Sequence, residues 1–411
     1  MTKALRIALI SSNRFPIRQP FAGGLEAHVW HLARALAERG HHVSLYAAPG
    51  SDDELSCQTL QVHTLGLSDA ARHDASMPAE AFMADHHAYL SLMLWLAGSG
   101  SEQFDIIHNH SLHYLPVAMA PALSTPMLTT VHTPPTPWLE SAIKAATPGL
   151  RFAAVSRHTA HAWEPAAGGI SLVPNGIDTD RWPLGPGGPY LVWFGRITAE
   201  KAPHLAMAVA EHTGMPLVLA GPISDPRYFA EEVGPRLHGN IRYAGHLDHR
   251  RLARLVGGAA ASLVTPAWDE PYGLVVAEAM SCGTPVVAFA RGGIPELVSE
   301  SSGRLVPGDD VTAMAAAIPE VLGLRREGVR QHAIRHCSAA AMLRAYGDLY
   351  DQMITDFAGR TDDRLLHPPP WLRAPGTRHQ HHRADEPAGH GPDLAGHCGA
   401  ALVRGNHQAI A

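Results

Sequence analysis

The sequence predicts an α/β protein of two doubly wound parallel-sheet domains facing each other across a cleft. Three observations carry this expectation. Short, doubly apolar runs alternate with amphipathic stretches along most of the chain, as buried parallel strands alternate with crossover helices. A patch rich in Gly and Pro, from Pro174 to Pro189, interrupts the series, which is the composition of an inter-domain connection. The length of 411 residues and the hydrophobic share of 46% fill two cores with chain left over.

The elements follow in order. LRIALI (5–10) reads as a buried strand, and a long loop runs from it to Gly23-Gly24. LEAHVWHLARALAER (25–39) sets Val29, Leu32, Ala33 and Leu36 on one helical face. Gly40 suits the position just past a helix end, and HVSLY resumes as a strand. This β–loop–α–β unit opens a Rossmann-like domain. QVHTL, FDIIH, MLTTV and RFAAV read as further strands, giving a first domain over 1–168. After the connection, YLVWF, LVLA, IRYA, ASLVT, PVVAF and RLV repeat the pattern in a second domain over 169–338. AAAMLRAYGDLYDQMITDF, within 339–358, reads as one amphipathic helix. From 359 to 411 the composition shifts to Pro, Gly, His and Arg without apolar period, and we read a disordered tail.

Composition excludes several classes. Formal charge is −6, against a general nucleic-acid binder, which carries a basic face. Four cysteines, Cys57, Cys282, Cys337 and Cys398, form no CxxC pair, which argues against a zinc-thiolate site and a disulfide framework. The apolar run near the N-terminus is too short for a signal peptide or membrane span. Residues 1–150 hold 8 Lys/Arg against 12 Asp/Glu, so a basic, membrane-seeking face on the first domain is not indicated. The expectation is a cytoplasmic protein with at most peripheral contact at the inner membrane face. The 28 histidines are the one outlier and invite a metal hypothesis.

Two stretches carry chemistry. In DEPYGLVVAEAMSCGTPVVAFARGGIPELV (269–298), Glu270 and Glu278 flank Gly273, with a helix starting near Leu274. Amides of Gly273, Leu274 and Val275 at a helix start make an anion site suited to phosphate. One carboxylate can meet sugar hydroxyls and the other both hydroxyls of a ribose. Two acids alone are compatible with a surface loop and an ordinary helix; the glycines, including Gly292-Gly293, weigh toward a site. In WFGRITAEK (193–201), Arg196 and Lys201 follow a strand end. Departure of a nucleoside diphosphate needs fixed positive charge of this kind, although a solvated basic turn has the same sequence.

These motifs together resemble the family-4 retaining glycosyltransferases of GT-B fold (glycosyltransferase group 1). The resemblance covers residues 3 to about 357. It rests on the order of Gly23-Gly24-Leu25-Glu26, Val173-Pro174-Asn175-Gly176-Ile177-Asp178, Phe194-Gly195-Arg196 with Glu200-Lys201, Glu270-Pro271-Tyr272-Gly273-Leu274 with Glu278-Ala279, and Gly292-Gly293-Ile294-Pro295-Glu296. It implies that Arg196 and Lys201 hold the donor diphosphate, Glu278 binds its ribose and Glu270 approaches its sugar beside Gly273, Leu274 and Val275. It implies close backbone approach at Gly23 and Gly24, a donor-sugar contact from His132, and a last helix bearing Tyr346 and Tyr350 that crosses back to domain one. Asn175 and Asp178 match an interface segment with a structural role. Tyr272 stands where the family more often has Phe, and His132-Thr133-Pro134-Pro135 departs from the commoner His-Asp.

The implied reaction moves a sugar from a nucleotide-sugar donor, by default a UDP-sugar, to a small-molecule, glycan or lipid-linked acceptor with retention. No other cofactor and no metal is expected. Asp178-Thr179-Asp180 fits a metal-binding Asp-x-Asp string but lies inside the joint motif, and Arg196 and Lys201 supply the charge a metal would. His108-Asn109-His110 with His113 is a candidate metal cluster, weighed against cleft lining and packing. His28 and His31 are expected on a helix surface. A sugar-nucleotide epimerase of the same fold and a non-catalytic nucleotide-sugar binder are the alternatives.

Overall fold

The computed structural model describes residues 4–55, 57–59, 66–146 and 150–359. Most of the apolar runs become two all-parallel sheets. Strands β1 (Arg6–Ile10), β2 (His42–Ala47), β3 (Cys57–Thr59), β4 (Ile106–Asn109), β5 (Met127–Val131), β6 (Arg151–Ala154) and β7 (Ser171–Leu172) form the first. Its order is β3-β2-β1-β4-β5-β6-β7. Strands β8 (Leu191–Phe194), β9 (Leu217–Ala220), β10 (Ile241–Tyr243), β11 (Ala261–Val264), β12 (Val286–Phe289) and β13 (Gly303–Val306) form the second, in the order β10-β9-β8-β11-β12-β13. The run QVHTL (61–65) and the tail from 360 onward lie outside the described residues.

Both faces of each sheet are covered, which is why the strands read as continuous apolar runs rather than alternating ones. In the first sheet Ile7 and Leu9 pack into one core, and Ala8 and Ile10 into the opposite one. The second sheet splits in the same way between Val192 and Phe194 on one side and Leu191 and Trp193 on the other. Helix Gly24–Glu38 buries Val29, Leu32, Ala33 and Leu36 on the first sheet, and Gly40 ends it with φ +88°.

The last helix, Ala339–Ala358, leaves the second domain and packs on the first. Its start is tied to the connection: Ile177 N–H donates to Cys337 O and Ala339 N–H to Ile177 O, each at 2.8 Å. Met342, Leu343, Tyr346, Tyr350 and Met353 then join the core of the first sheet. Both tyrosines are fully buried, and burial demands partners for their hydroxyls. Tyr350 OH lies 2.6 Å from His108 Nδ1, and Tyr346 OH lies 3.2 Å from Thr130 Oγ1.

Candidate active site

In each sheet the strand order reverses beside one strand pair, β1/β4 in the first and β8/β11 in the second. Loops leaving the C-terminal ends at such a point diverge and leave a crevice. Here the loops after β1, β4 and β5 meet those after β8 and β11 around one cavity of about 360 Å3. Its lining includes Gly23, Gly24, His132, Arg196, Lys201, Glu270, Gly273, Leu274, Val275 and Glu278. All ten residues singled out from the sequence thus share one cavity, although their side chains do different things.

The second-domain wall carries the charge. Lys201 Nζ donates to Glu270 Oε2. Trp268 Nε1–H donates to the same oxygen at 3.2 Å, and the ammonium lies 5.0 Å from the centroid of the Trp268 ring. Arg196 pairs with Glu200 at 2.9 Å. The Lys201 side chain is 21% exposed and that of Arg196 30%, so an incoming anion can reach either and exchange for its carboxylate partner. Thr265, unremarked in the sequence, anchors the turn. Its hydroxyl lies within hydrogen-bonding distance of Lys201 O and Ala202 O, at 3.3 and 3.0 Å, and receives Trp193 Nε1–H at 3.1 Å. Beside it Ala202 holds a left-handed φ of +45°. A non-glycine residue keeps such strain only where its surroundings enforce it.

The Glu270 loop leads into helix Leu274–Ser281 through Gly273, whose φ of +98° admits no ordinary side chain. Glu278 lies on the helix and faces the cavity, and desolvation pushes its carboxyl up to about 8. Gly292, at φ +61°, supports the loop from behind: a Cβ there would fall 2.2 Å from Glu270 O. Gly293 N–H donates to that same oxygen at 2.7 Å. The second Gly-Gly therefore shapes the backbone that presents Glu270. The rest of its motif ties the domains together. The Glu296 carboxylate accepts the amides of Arg157 and His158 at 3.0 and 2.9 Å, at the start of helix Arg157–Trp163. Ser156 Oγ donates to Pro271 O at 2.6 Å.

Besides Arg14 and Glu26, the first-domain wall is built on imidazoles. His132 follows β5, and its Nε2 lies 2.9 Å from His110 Nδ1. The His110 ring lies 3.9 Å from that of His108 and 5.3 Å from that of His28. Burial lowers the His132 pKa to about 3, and it holds His28, His108 and His110 well below the usual imidazole value. These rings are therefore neutral at physiological pH. Gly24 completes this wall, with space for a Cβ only 3.3 Å from Leu274 Cδ1 across the cleft.

The structure corrects the expectation for helix Gly24–Glu38. His28 is not on its surface but buried, and neither ring nitrogen has a hydrogen-bonding partner among the described residues. His31 turns to the cavity, 4.9 Å from the Trp30 ring and 6.3 Å from the ring of His249. The reason is helical period: the stripe containing Leu25, Val29 and Leu32 brings residues 28 and 31 around toward the crevice. The histidine cluster also differs in membership. His113 stacks on Tyr89 at 4.4 Å and caps helix Tyr114–Met119 instead of joining His108 and His110. The three that converge are His28, His110 and His132, with one ring nitrogen from each within 4.8 Å of the others. Such a set could hold a metal ion, although His110 and His132 already bond each other. Asp178 sits in a turn, accepting Asp180 N–H at 3.1 Å. Asn175 is buried at the cavity.

Comparison with known proteins agrees along the chain. The model of Glycosyltransferase Family 4 matches residues 22–181, and that of Glycosyl transferases group 1 matches residues 188–323. A glycogen synthase of Mycobacterium tuberculosis is 28% identical over 360 residues, covering 77% of this chain and 86% of the relative. A D-inositol 3-phosphate glycosyltransferase 2 of Catenulispora acidiphila is 28% identical over 422 residues, covering 85% and 96%. Among solved structures, a sucrose-phosphate synthase of Thermosynechococcus elongatus superposes with TM-score 0.69 at 22% identity, covering 85% of this chain and all of that one. Anabaena HepE, solved with UDP and glucose, gives 0.66 at 15% identity, covering 84% and 99%. These neighbours have the GT-B fold of two facing Rossmann-like domains. No helix among the described residues is long and apolar enough to cross a membrane.

Proposed function

This chain belongs to the glycosyltransferases of family 4 and group 1, and from that premise we propose that it transfers a sugar from a nucleotide-sugar donor, a UDP-sugar first among them, to an acceptor hydroxyl with retention and without a metal ion. The observation that carries the reading is the pair of cations on the second-domain wall, Lys201 held by Glu270 and Arg196 held by Glu200, in the same cavity as Glu278. The donor diphosphate replaces the carboxylates as the partner of Arg196 and Lys201. As the bond from the anomeric carbon to the phosphate oxygen breaks, negative charge grows on that oxygen where the two cations already stand. Glu270, released from Lys201, accepts hydroxyls of the donor sugar. Glu278 meets the ribose hydroxyls at its carboxyl oxygens. Neutral His132 offers the sugar a hydrogen bond without adding a second charge to the site.

The acceptor hydroxyl attacks on the face the leaving group departs from. Its oxygen forms the new bond to the anomeric carbon, and its proton passes to the departing phosphate oxygen. The chain's contribution is position, fixed charge and exclusion of water between the domains. Thermal shift against a panel of UDP-, GDP- and ADP-sugars finds the donor, because ligand bound to the folded state raises its stability. NMR of the product then reads the anomeric configuration. Inversion would overturn the retaining reading. Epimer formed from donor alone would favour the epimerase, and donor binding with no turnover across an acceptor library would favour a binding protein.

A further inference from the structure

A ladder of stacked rings climbs out of the cleft on the first domain. It starts at buried Tyr89, whose hydroxyl donates to Ser11 O and receives Asn13 N–H, on either side of cavity-lining Ser12. His113 stacks on Tyr89 at 4.4 Å, Tyr114 on His113 at 4.8 Å, and Trp138 on Tyr114 at 5.2 Å. Phe82 closes the outer end, 6.4 Å from the Trp138 ring and 6.5 Å from His86. Tyr89 at the inner end is 1% exposed, against 61% at Trp138 and 45% at Phe82 at the outer end. Trp138 lies in the first turn of helix Pro137–Ala145, shortly after the His132–Pro135 stretch, and Leu112, 39% exposed, lines the cavity and precedes His113 in the chain. The inner end of the ladder thus lies beside the transfer site.

We propose that this ladder is the docking platform for a neutral glycan, the acceptor chain whose terminal hydroxyl enters the cleft. The proposal rests on the transferase reading and names its acceptor class. A pyranose shows a flat array of C–H bonds on one face and hydroxyls around its rim. Exposed indole and phenyl faces take the first, and the polar edges of Tyr114 and His86, bonded to each other at 3.0 Å, take the second. Two exposed rings, Trp138 and Phe82, rather than one, offer successive contacts to a polymer of such units. Charge selects against an anionic lipid surface. The three helices that carry the outer rings, Glu80–Ala97, Tyr114–Met119 and Pro137–Ala145, hold Glu80, Asp85 and Glu140 against Lys144 alone, and Lys144 is paired with Glu140. Membrane docking draws on unpaired basic residues.

The test uses the full chain with four linear neutral oligosaccharides, maltoheptaose, cellohexaose, laminarihexaose and mannohexaose. Binding is followed by calorimetry and tryptophan fluorescence, with UDP titrated separately. At least one oligosaccharide is expected to bind. Trp138→Ala and Phe82→Ala, both at exposed sites, each weaken it by about tenfold while UDP affinity stays unchanged. Binding of none of the four, with UDP affinity intact, overturns the platform and leaves the transferase reading standing. Oligosaccharide binding that both substitutions leave untouched also overturns it. Sedimentation with phosphatidylcholine–phosphatidylglycerol vesicles that Trp138→Ala abolishes, without oligosaccharide binding, identifies a membrane surface instead. Failure of every nucleotide sugar to bind, with the oligosaccharide still held, breaks the transferase reading and not the platform.

Discussion

The two walls of the cleft are built in opposite ways. On the second domain the functional groups are charged, paired and reachable by solvent, and they come from two short stretches, 196–201 and 270–278. On the first domain His132 lines the cavity, which Arg14 and Glu26 also line, and beside it lie the buried neutral imidazoles of His28 and His110. A wall that captures and releases a polyanion keeps its cations within reach of water, since fully buried charge costs several kcal/mol per ion even when paired. A wall that orients hydroxyls needs dipoles, and desolvation supplies them by keeping histidine neutral.

The largest expected effect tests the charged wall. Lys201→Gln and Arg196→Gln each lower kcat/KM by about 10²–10³ in steady-state assays, with circular dichroism unchanged. His132→Ala costs only about tenfold, the worth of one hydrogen bond. If it cost as much as the lysine, the division of labour between the walls would fail.

Next comes the support behind Glu270. Gly292→Ala forces a Cβ against Glu270 O at a left-handed φ and should destabilise the fold by about 1–3 kcal/mol in denaturant titration. It lowers transfer further than stability alone explains. A variant with normal stability and activity would show that the loop can be presented without this contact.

The walls also titrate in opposite senses. The imidazole wall contributes stability that is fully present above the ordinary histidine value of 6.5 and lost as pH falls toward the His132 value of about 3. Glu278, raised from 4.5 to about 8, contributes stability that is fully present below pH 4.5 and lost as pH rises through about 8. The slope is at most about 1.4 kcal/mol per pH unit per group. Melting temperature against pH should therefore fall on both sides, and Glu278→Gln should flatten only the upper one. A fall on the acid side that His132→Phe and His110→Phe leave in place would remove the imidazoles as its cause.

The smallest effect is expected where the two walls are most unlike. His28→Leu removes a buried imidazole with no partner among the described residues, and loss of an unsatisfied polar group is neutral or stabilising. Transfer should stay within about twofold, and prolonged treatment with EDTA or phenanthroline should leave it unchanged. Loss of activity on chelation, restored by zinc in the native protein but not in His28→Leu, would show that His28, His110 and His132 hold a catalytic metal.

Legibility in the sequence followed the same division. Lys201 with Arg196, and Glu270 with Glu278, sit close enough in the chain for one strand end and one helix start to set their geometry. Glycines mark the turns between them. The imidazole cluster has no such local signal. Its members lie on a helix and after two strands, and of the expected His108, His110 and His113 only His110 belongs to it. His28 looked like a surface residue because its neighbours are mixed in polarity, and only the crevice shows which side of the helix is inside. Thr265 and Ala202, which hold Lys201 in place, left no pattern at all.

By itself, then, the sequence determined the two parallel-sheet domains, the last helix and the charged motifs, because each rests on short-range periodicity or on a few adjacent residues; that this helix crosses to the first domain followed only from the family resemblance. The tertiary structure alone decided which histidines meet, that Glu296 caps a helix of the other domain, and that rings from three helices stack into one outward ladder. Those contacts join residues far apart in the chain, and no local propensity encodes the distance between two sheets that face each other.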